Sequence, residues 1–312
     1  MESDVAKSDG DGGLRTAWIL GSSRSGSTWL LRMLSELPNV VGIDETHIGH
    51  HLGVWRPISL AWATADDEPE LTTYREIKRS RTDYLFSDRY RHIWEPALAR
   101  LVTERLSAQV AELAPSVPDP VVVVKEPGGS EVADLIVSLL PKTRLVFLLR
   151  DGRDVVDSWL DAYRPGTWAH QEGTYSLRGD SRLAFIRWQA AVWSFRTRAV
   201  QRAYEMLPEA RRVFLRYEDL IGEPEAELGR LAQALDLEVD PELVRDVVAR
   251  HRYWSVPPGE RGSGRRIRWA EPGRWRSTMT DEEIAAMAEI MDPILVDYGY
   301  APTRSLSLTT DP

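Results

Sequence analysis

The sequence contains no cysteine, and this absence excludes several kinds of chemistry. Without thiols the chain forms no disulfide, binds no metal through thiolates and has no cysteine nucleophile. Long apolar runs are missing too, since no window approaches the roughly 18 consecutive apolar residues of a membrane span, and residues 1–14 are polar and acidic. We therefore predict a cytoplasmic protein with no integral membrane segment and with disordered tails at residues 1–14 and 303–312.

Positive charge is also in short supply. The chain has 39 Lys and Arg residues against 48 Asp and Glu residues, a net charge of -9, which argues against nonspecific binding to nucleic acid. Residues 261–276, here called the arginine-rich stretch, depart from this balance with six arginines and one acidic residue. We interpret the stretch as part of a specific anion site, with an ordinary exposed basic loop as the alternative.

Apolar runs alternate with helical patterns along the 312 residues. The four runs are residues 16–20, 121–125, 144–150 and 212–216. Continuous Val, Ile and Leu runs followed by helices are typical of buried parallel strands. We predict an α/β fold: a P-loop-like three-layer sandwich whose central, mostly parallel sheet has helices on both faces and a helical insertion after the second strand. Residues 15–302 are predicted to form a single domain.

Two aromatic segments interrupt this alternation, at residues 49–116 and 163–180. Ligands of open α/β sheets bind beyond the carboxyl ends of the strands, where such connections lie. The segments are therefore candidates for an acceptor pocket, although ordinary packing explains single aromatic residues equally well. The candidate residues in these segments are Trp55, Trp62, Tyr74, Tyr84, Phe86, Tyr90, Trp94, Trp168, His170 and Tyr175.

The sequence GSSRSGST, residues 21–28, follows the first apolar run and precedes a helix. We call it the anion-binding loop, because backbone N–H groups at a helix N-terminus attract anions. Gly26 permits close approach of the backbone to a ligand, Arg24 adds a fixed charge, and further hydroxyl donors come from Ser25, Ser27 and Thr28. The loop is one residue away from the nucleotide-binding pattern GxxxxGK[ST], because Ser27 stands where that pattern has lysine.

Four stretches in the same order resemble the sulfotransferases that use 3′-phosphoadenosine 5′-phosphosulfate, PAPS, and release the bisphosphate PAP. They are RSGSTWL at 24–30, LLRDGRDVVDSW at 148–159, FLRYEDLIGEPEAELGRLAQAL at 214–235 and GRWRSTMT at 273–280. The resemblance implies that the anion-binding loop with Trp29 holds the 5′-phosphosulfate. It also implies that Arg150 and Ser158 hold the 3′-phosphate, that Tyr217 lies near the adenine, and that charge near the 3′-phosphate comes from Arg261, Arg265 and Arg266.

The catalytic groups are expected in two segments, residues 121–127 and residues 41–51. Lys125 closes VVVVK and can stabilise the leaving group together with Arg24, but Pro127 stands where related cytosolic enzymes have a histidine base. The segment VGIDETHIGHH, residues 41–51, resembles the Glu-Glu-Thr segment of tyrosylprotein sulfotransferases, which implies that Glu45 takes the acceptor proton. Rival bases are His47, His50, His51 and Glu126.

We therefore predict a metal-independent enzyme that transfers a sulfuryl group from PAPS to a hydroxyl of a small molecule such as a phenol, alcohol, glycoside or secondary metabolite. Three alternatives stay open: a kinase or hydrolase that uses ATP and magnesium, a sulfotransferase acting on a peptide, and a nucleotide-sensing protein without turnover. Asp151 could hold magnesium in the first of these. The sequence does not indicate an oligomeric state.

Overall fold

A five-stranded parallel sheet forms the centre of the protein. The structure is a computed structural model that describes residues 14–55, 71–172, 182–265 and 272–303. Its strands lie in the order β2-β5-β1-β6-β7, all paired in parallel. The bounds are β1 Arg15–Gly21, β2 Val40–Asp44, β5 Val121–Lys125, β6 Arg144–Leu149 and β7 Arg212–Arg216, and a separate antiparallel pair is formed by β3 Val54–Trp55 and β4 Thr72–Thr73.

Helices cover both faces of this sheet. The α-helices of the described residues are α1 Ser27–Ser35, α2 Ile48–Leu52, α3 Tyr74–Lys78, α4 Arg91–Leu113, α5 Ala133–Leu139, α6 Gly152–Ala162, α7 Trp168–Glu172, α8 Arg182–Met206, α9 Tyr217–Gly222, α10 Pro224–Ala234, α11 Pro241–Arg250, α12 Trp275–Thr278 and α13 Asp281–Asp297. Short 3₁₀ helices are Asp88–Tyr90, Pro127–Val132, Glu209–Arg211 and Tyr253–Ser255. None of the helices in these ranges is long and apolar enough to cross a membrane.

Successive strand residues face two different cores, as the two-residue period of a strand requires. In β5, Val122 and Val124 belong to the core built with helices α4, α5, α6, α8 and α13. Their neighbours Val121 and Val123 belong to the opposite core, built with α1, α10 and α11. Burial on both faces explains why the central strands are continuous apolar runs. The predicted three-layer α/β architecture is confirmed.

All four predicted strands are present, but β2 was not among them. Its sequence, VVGID, lies at one edge of the sheet and alternates between buried and partly exposed residues. An edge strand is covered on fewer sides, so it lacks the apolar run that marks β1, β5 and β6. The short β3–β4 pair was not predicted either; it lies within residues 49–116, the first of the two predicted insertion segments.

Candidate active site

The anion-binding loop lies at the carboxyl end of β1, between two close backbone contacts. A side chain at Gly21 would lie 2.1 Å from the carbonyl oxygen of Leu148, and one at Gly26 would lie 2.5 Å from the ring of Tyr217. Gly26 also has a φ of +86° and caps helix α1 without a side-chain hydrogen bond to the first turn. The two glycines therefore let the loop lie against β6 and Tyr217 while the first turn of α1 keeps amide donors for a ligand.

Buried polar atoms around this loop are left for a ligand. Within the described residues, neither Ser25 Oγ nor Arg150 Nε has a hydrogen-bond partner, although Ser25 is 0% and Arg150 is 3% exposed. Another guanidinium nitrogen of Arg150 donates to the carbonyl of Arg24 at 2.8 Å, and its carbon lies 4.5 Å from the ring centre of Tyr217. Buried polar groups are normally hydrogen-bonded, so these atoms fit a polyanionic ligand such as PAPS.

Arg24 lies against helix α6. Its Nε donates to Ser158 Oγ at 3.0 Å, and its guanidinium carbon lies 6.0 Å from the ring centre of Trp159 and 5.5 Å from that of Trp168. Two residues that the sequence resemblance assigned to different phosphate groups are thus in direct contact. Trp29 lies on the other side of the loop, where its indole N–H donates to the carbonyl of His251 at 2.9 Å.

Lys125 joins the anion-binding loop to the predicted base. Its ammonium group donates to Thr28 Oγ1 at 3.2 Å and lies 2.9 Å from Glu45 Oε1 and 2.5 Å from Asp44 Oδ1. Lys125 is 4% exposed. The register of β2 on β5 explains this proximity, because Asp44 is paired with Lys125 and the amide of Glu45 donates to the carbonyl of Lys125 at 2.9 Å. Asp44 was not predicted.

The rival bases occupy different environments. Glu126 is 1% exposed and accepts hydrogen bonds from Thr46 Oγ1 and from the amide of Gly49, at 2.6 Å for the amide; burial raises the pKa of this carboxyl above its ordinary value. His47 is exposed, and its Nδ1 lies 3.9 Å from Glu45 Oε2. His50 is exposed as well. Among the predicted bases, Glu45 therefore combines partial exposure of its carboxylate with contact to Lys125.

One residue of the network carried no signal in the sequence. Arg196, on helix α8, donates to Glu131 Oε2 at 3.0 Å, to the carbonyl of Gly128 at 2.9 Å and to Ser23 Oγ at 3.4 Å. It thereby connects the anion-binding loop to the turn that follows Lys125. Nothing in the Arg- and Trp-rich sequence of α8 distinguishes this arginine from its neighbours.

Three buried aspartates on one side of helix α6 hold the arginine-rich stretch. Asp154, Asp157 and Asp161 are spaced by three and four residues, which brings them to the same helix face. Asp161 accepts hydrogen bonds from Ser263 Oγ at 2.8 Å and from the amide of Gly264 at 3.0 Å. The spacing is visible in the sequence and could have suggested a partner for the arginine-rich stretch.

The other two aspartates hold residues near the end of the stretch and just beyond it. Asp154 accepts from the amide of Gly273 at 2.7 Å. Asp157 lies 2.9 Å from Arg274 Nε and accepts from Thr278 Oγ1 at 2.8 Å. Helix α6 therefore fixes both sides of the arginine-rich stretch. It also carries Ser158, the predicted ligand of the 3′-phosphate, between Asp157 and Asp161.

The predicted arginines of the stretch differ in their surroundings. The guanidinium of Arg261 lies 5.0 Å from the ring centre of Tyr253 and 4.8 Å from that of Trp254. Arg265 is exposed, and Arg266 lies outside the described residues. Their contact with the 3′-phosphate stays a prediction.

Asp154 is expected to make stability depend on pH. Burial raises its pKa from 3.8 to about 6, so between these values the native protein holds a proton that the unfolded chain has lost. The free energy of unfolding therefore decreases as pH rises through this window. At about 1.4 kcal/mol per pH unit, the ionised carboxylate costs about 3 kcal/mol above pH 6.

The variant Asp154→Asn tests this cost, because asparagine keeps the volume and can accept the hydrogen bond from Gly273. We expect its free energy of unfolding in urea to decline less than that of the wild type between pH 4 and pH 7, with a difference approaching about 3 kcal/mol. Parallel curves for the two proteins would show that Asp154 is not the titrating group.

The aromatic residues of the first predicted acceptor segment pack largely on one another. Ring centres of Tyr74 and Tyr84 lie 5.7 Å apart, those of Tyr84 and Phe86 5.9 Å, and those of Phe86 and Trp94 5.5 Å, all edge to face. Trp94 is buried in the core, and its indole N–H donates to the carbonyl of Ser87. These contacts fit the packing alternative; Trp62 and Tyr175 lie outside the described residues, as do the side chains of Trp55 and His170.

Two aromatic side chains lie beside Arg24, Trp159 on helix α6 and Trp168 in the second predicted segment. Trp159 stacks on Tyr163 with ring centres 5.5 Å apart and an interplanar angle of 28°. Trp168, at the start of α7, contacts Arg24 from another side. All three rings are partly exposed.

In the described ranges, no three His, Asp or Glu residues are grouped so that they could hold a metal ion.

Comparisons with known proteins identify the family and the fold of the chain. The model of the Sulfotransferase family matches residues 17–241. Among solved structures, sulfotransferase STF9 from Mycobacterium avium is 14% identical with a TM-score of 0.55, covering 93% of this chain and 78% of that one. Mouse sulfotransferase SULT7A1 complexed with PAP is 12% identical with a TM-score of 0.51, covering 94% and 87%. At such low sequence identity, these two matches show a shared fold and nothing more.

A search of proteins with curated descriptions finds no match. The family match nevertheless extends from β1 to the start of α11, and it contains both the anion-binding loop and the Lys125 and Glu45 pair. The sequence resemblance to sulfotransferases is confirmed, and the chain belongs to the sulfotransferase family.

Proposed function

We propose that this sulfotransferase takes its sulfuryl group from PAPS and transfers it to the hydroxyl of a small molecule, with Glu45 as general base. One observation carries the proposal: Lys125 contacts Glu45 on one side and Thr28 of the anion-binding loop on the other. The group that receives a proton and the loop that binds an anion are therefore joined by a single buried cation.

The residues around the loop fit the sulfuryl donor. When bound, PAPS would supply the sulfuryl group, and PAP would be the leaving group, keeping the electron pair of the broken bond on its 5′-phosphate oxygen. The amides at the start of α1, Ser25 Oγ and the guanidinium of Arg150 are the donors suited to its anionic groups. The PAP bound to the mouse relative supports the same choice of nucleotide.

Glu45 and Lys125 then divide the work of transfer. As the acceptor oxygen forms its bond to sulfur, Glu45 takes the hydroxyl proton, and the bond between sulfur and the phosphate oxygen breaks. Lys125 stabilises the negative charge that grows on that leaving oxygen. Glu45 is one third exposed at its side chain, so a hydroxyl can reach it.

A phenolic acceptor is favoured by the aromatic residues on α6 and α7. Trp159 and Trp168 present partly exposed rings beside Arg24, and Tyr163 stacks on Trp159. The planar ring of a phenol stacks well on such surfaces. A peptide tyrosine carries the same phenol, and Asp44, Glu45 and Thr46 resemble the tyrosylprotein sulfotransferase segment. Peptide sulfation is therefore the second candidate.

The contacts of Asp151 weigh against the alternative that uses ATP and magnesium. Its Oδ2 lies 2.7 Å from the guanidinium of Arg153, and its Oδ1 accepts from the amide and Nε of the same residue. A carboxylate held by an arginine in this way is poorly suited to bind magnesium. Ser27, in place of the nucleotide-binding lysine, points in the same direction.

A thermal-shift titration tests the choice of donor without knowledge of the acceptor. A ligand that binds the native state raises the melting temperature, with about 2.7 kcal/mol gained at 100 times the Kd. We expect PAP and PAPS each to raise the melting temperature, and each shift to be the same with EDTA as without it. Stabilisation by ATP with magnesium alone would contradict the proposal.

Transfer of ³⁵S from labelled PAPS then tests the acceptor class. The probe acceptors are 2-naphthol and a tyrosine-containing acidic peptide. We expect labelled 2-naphthyl sulfate to accumulate with turnover. Labelling of the peptide alone would favour the second candidate, and donor binding without any transfer would favour a nucleotide-sensing protein.

A further inference from the structure

The segment that carries Glu45 has an unusual backbone. Glu45 has a φ of +32° and His47 a φ of +58°, and neither is glycine. Residues with side chains adopt such left-handed conformations at a cost of order 1–3 kcal/mol each, and they persist where their surroundings impose them. The backbone at the proposed base is therefore held by contacts with the rest of the protein.

Glu126 supplies two of these contacts from beneath the segment. One carboxylate oxygen accepts the hydroxyl of Thr46, directly after Glu45, and the other accepts the amide of Gly49 at 2.6 Å. The carboxylate therefore binds both ends of the bend that contains His47. At 1% exposed, Glu126 does not face solvent or the open side of the site.

Close backbone packing fixes the same segment against the turn after Lys125. A side chain at Gly49 would lie 2.4 Å from the backbone of Gly129, and one at Gly129 would lie 2.7 Å from Glu126 Oε1. The amide of Glu45 is bound to the carbonyl of Lys125. Residues 45–49 and 126–129 thus form one tightly packed unit, and the carboxylate of Glu126 is its central acceptor.

We propose that Glu126 is a positioning residue, whose carboxylate binds Thr46 and Gly49 and thereby holds Glu45 against Lys125 for proton transfer. This inference rests on the proposed role of Glu45. It assigns Glu126 an action through Glu45 and no direct contact with the acceptor, which distinguishes it from the rival hypothesis that Glu126 is itself the base.

The variant Glu126→Gln keeps the side-chain volume but replaces one of the two acceptor oxygens by an NH₂ group. Either the hydroxyl of Thr46 or the amide of Gly49 therefore loses its acceptor. We expect kcat for sulfation of 2-naphthol to fall by about 10- to 100-fold, because a displacement near 1 Å costs this much. The KM for PAPS should stay within a few-fold. Amide hydrogen exchange at residues 45–49 should become faster.

Thr46 provides a matched pair of variants. Thr46→Val keeps the shape and removes the hydroxyl that Glu126 accepts, whereas Thr46→Ser keeps the hydroxyl. We expect Thr46→Val to lower kcat as Glu126→Gln does, and Thr46→Ser to retain most of the wild-type rate. Glu283, at the start of α13, is another buried glutamate, and it accepts a hydrogen bond from Arg182. The variant Glu283→Gln therefore controls for loss of a buried carboxylate; it should lower stability and leave kcat unchanged.

A double-variant cycle decides whether Glu126 acts through Glu45. We expect Glu126→Gln to cause no further loss of rate when Glu45→Gln is already present. An equal loss in both backgrounds, or a wild-type rate for Glu126→Gln, would overturn the inference. If the wild type binds PAPS but does not sulfate 2-naphthol, the acceptor proposal fails separately. Hydrogen exchange then decides, and unchanged protection of residues 45–49 in Glu126→Gln would overturn the inference.

Discussion

Replacement of Glu45 by glutamine is expected to lower kcat by about 10²- to 10⁴-fold, the range over which a positioned general base accelerates proton transfer. Glutamine keeps the size of the side chain and can still accept a hydrogen bond, but it cannot take a proton. The affinity for PAP, measured by thermal shift, should stay within a few-fold, because the donor groups of the anion-binding loop are unchanged.

The histidines near Glu45 provide the controls for this prediction. His47 Nδ1 lies 3.9 Å from Glu45 Oε2, close enough to act as the base if Glu45 only orients it. In that event His47→Gln would lose as much rate as Glu45→Gln. We expect His47→Gln to retain most of its rate, since its ring is exposed and has no contact with Lys125 among the described interactions. A Glu45→Gln enzyme that keeps most of its turnover would contradict the assignment.

The predictable part of this fold is the part that is buried on both faces. β1, β5 and β6 read as apolar runs because each lies between two helical layers, and the anion-binding loop is recognisable because its glycines meet the backbone of β6 and the ring of Tyr217. Edge strand β2 was not predicted, because it alternates between buried and exposed residues. Its role became visible only through its register on β5, which brings Asp44 beside Lys125.

Contacts between distant side chains were beyond prediction for a different reason. Arg24 was predicted as an anion ligand from the loop, and Ser158 from the resemblance to sulfotransferases. Their mutual hydrogen bond was not predicted, because it depends on how α6 approaches the loop. The link from Arg196 to Ser23 spans more than half of the chain and has no local pattern. Glu126 was visible only as a rival base, because its burial and its two partners are properties of the packed structure.

Replacement of Lys125 by methionine is expected to lower kcat by about 10²- to 10³-fold, the loss typical when one group that stabilises developing negative charge is removed. Methionine keeps the length and apolar character of the buried stem, so β5 should remain in place. The variant leaves Asp44 and Glu45 without their shared ammonium partner. Initial rates at saturating PAPS, with 2-naphthol as acceptor, measure the effect.

Asp44→Asn separates the two ways in which Lys125 could matter. Asp44 is paired with Lys125 at 2.5 Å, and its side chain is 60% exposed, so replacing it breaks this ion pair while leaving the cation at the site. If the ammonium acts on the leaving oxygen, Asp44→Asn should keep most of the rate, because Lys125 still contacts Glu45 and Thr28. If Asp44→Asn loses as much rate as Lys125→Met, the ion pair matters for structure and the charge on Lys125 has no separate role in transfer.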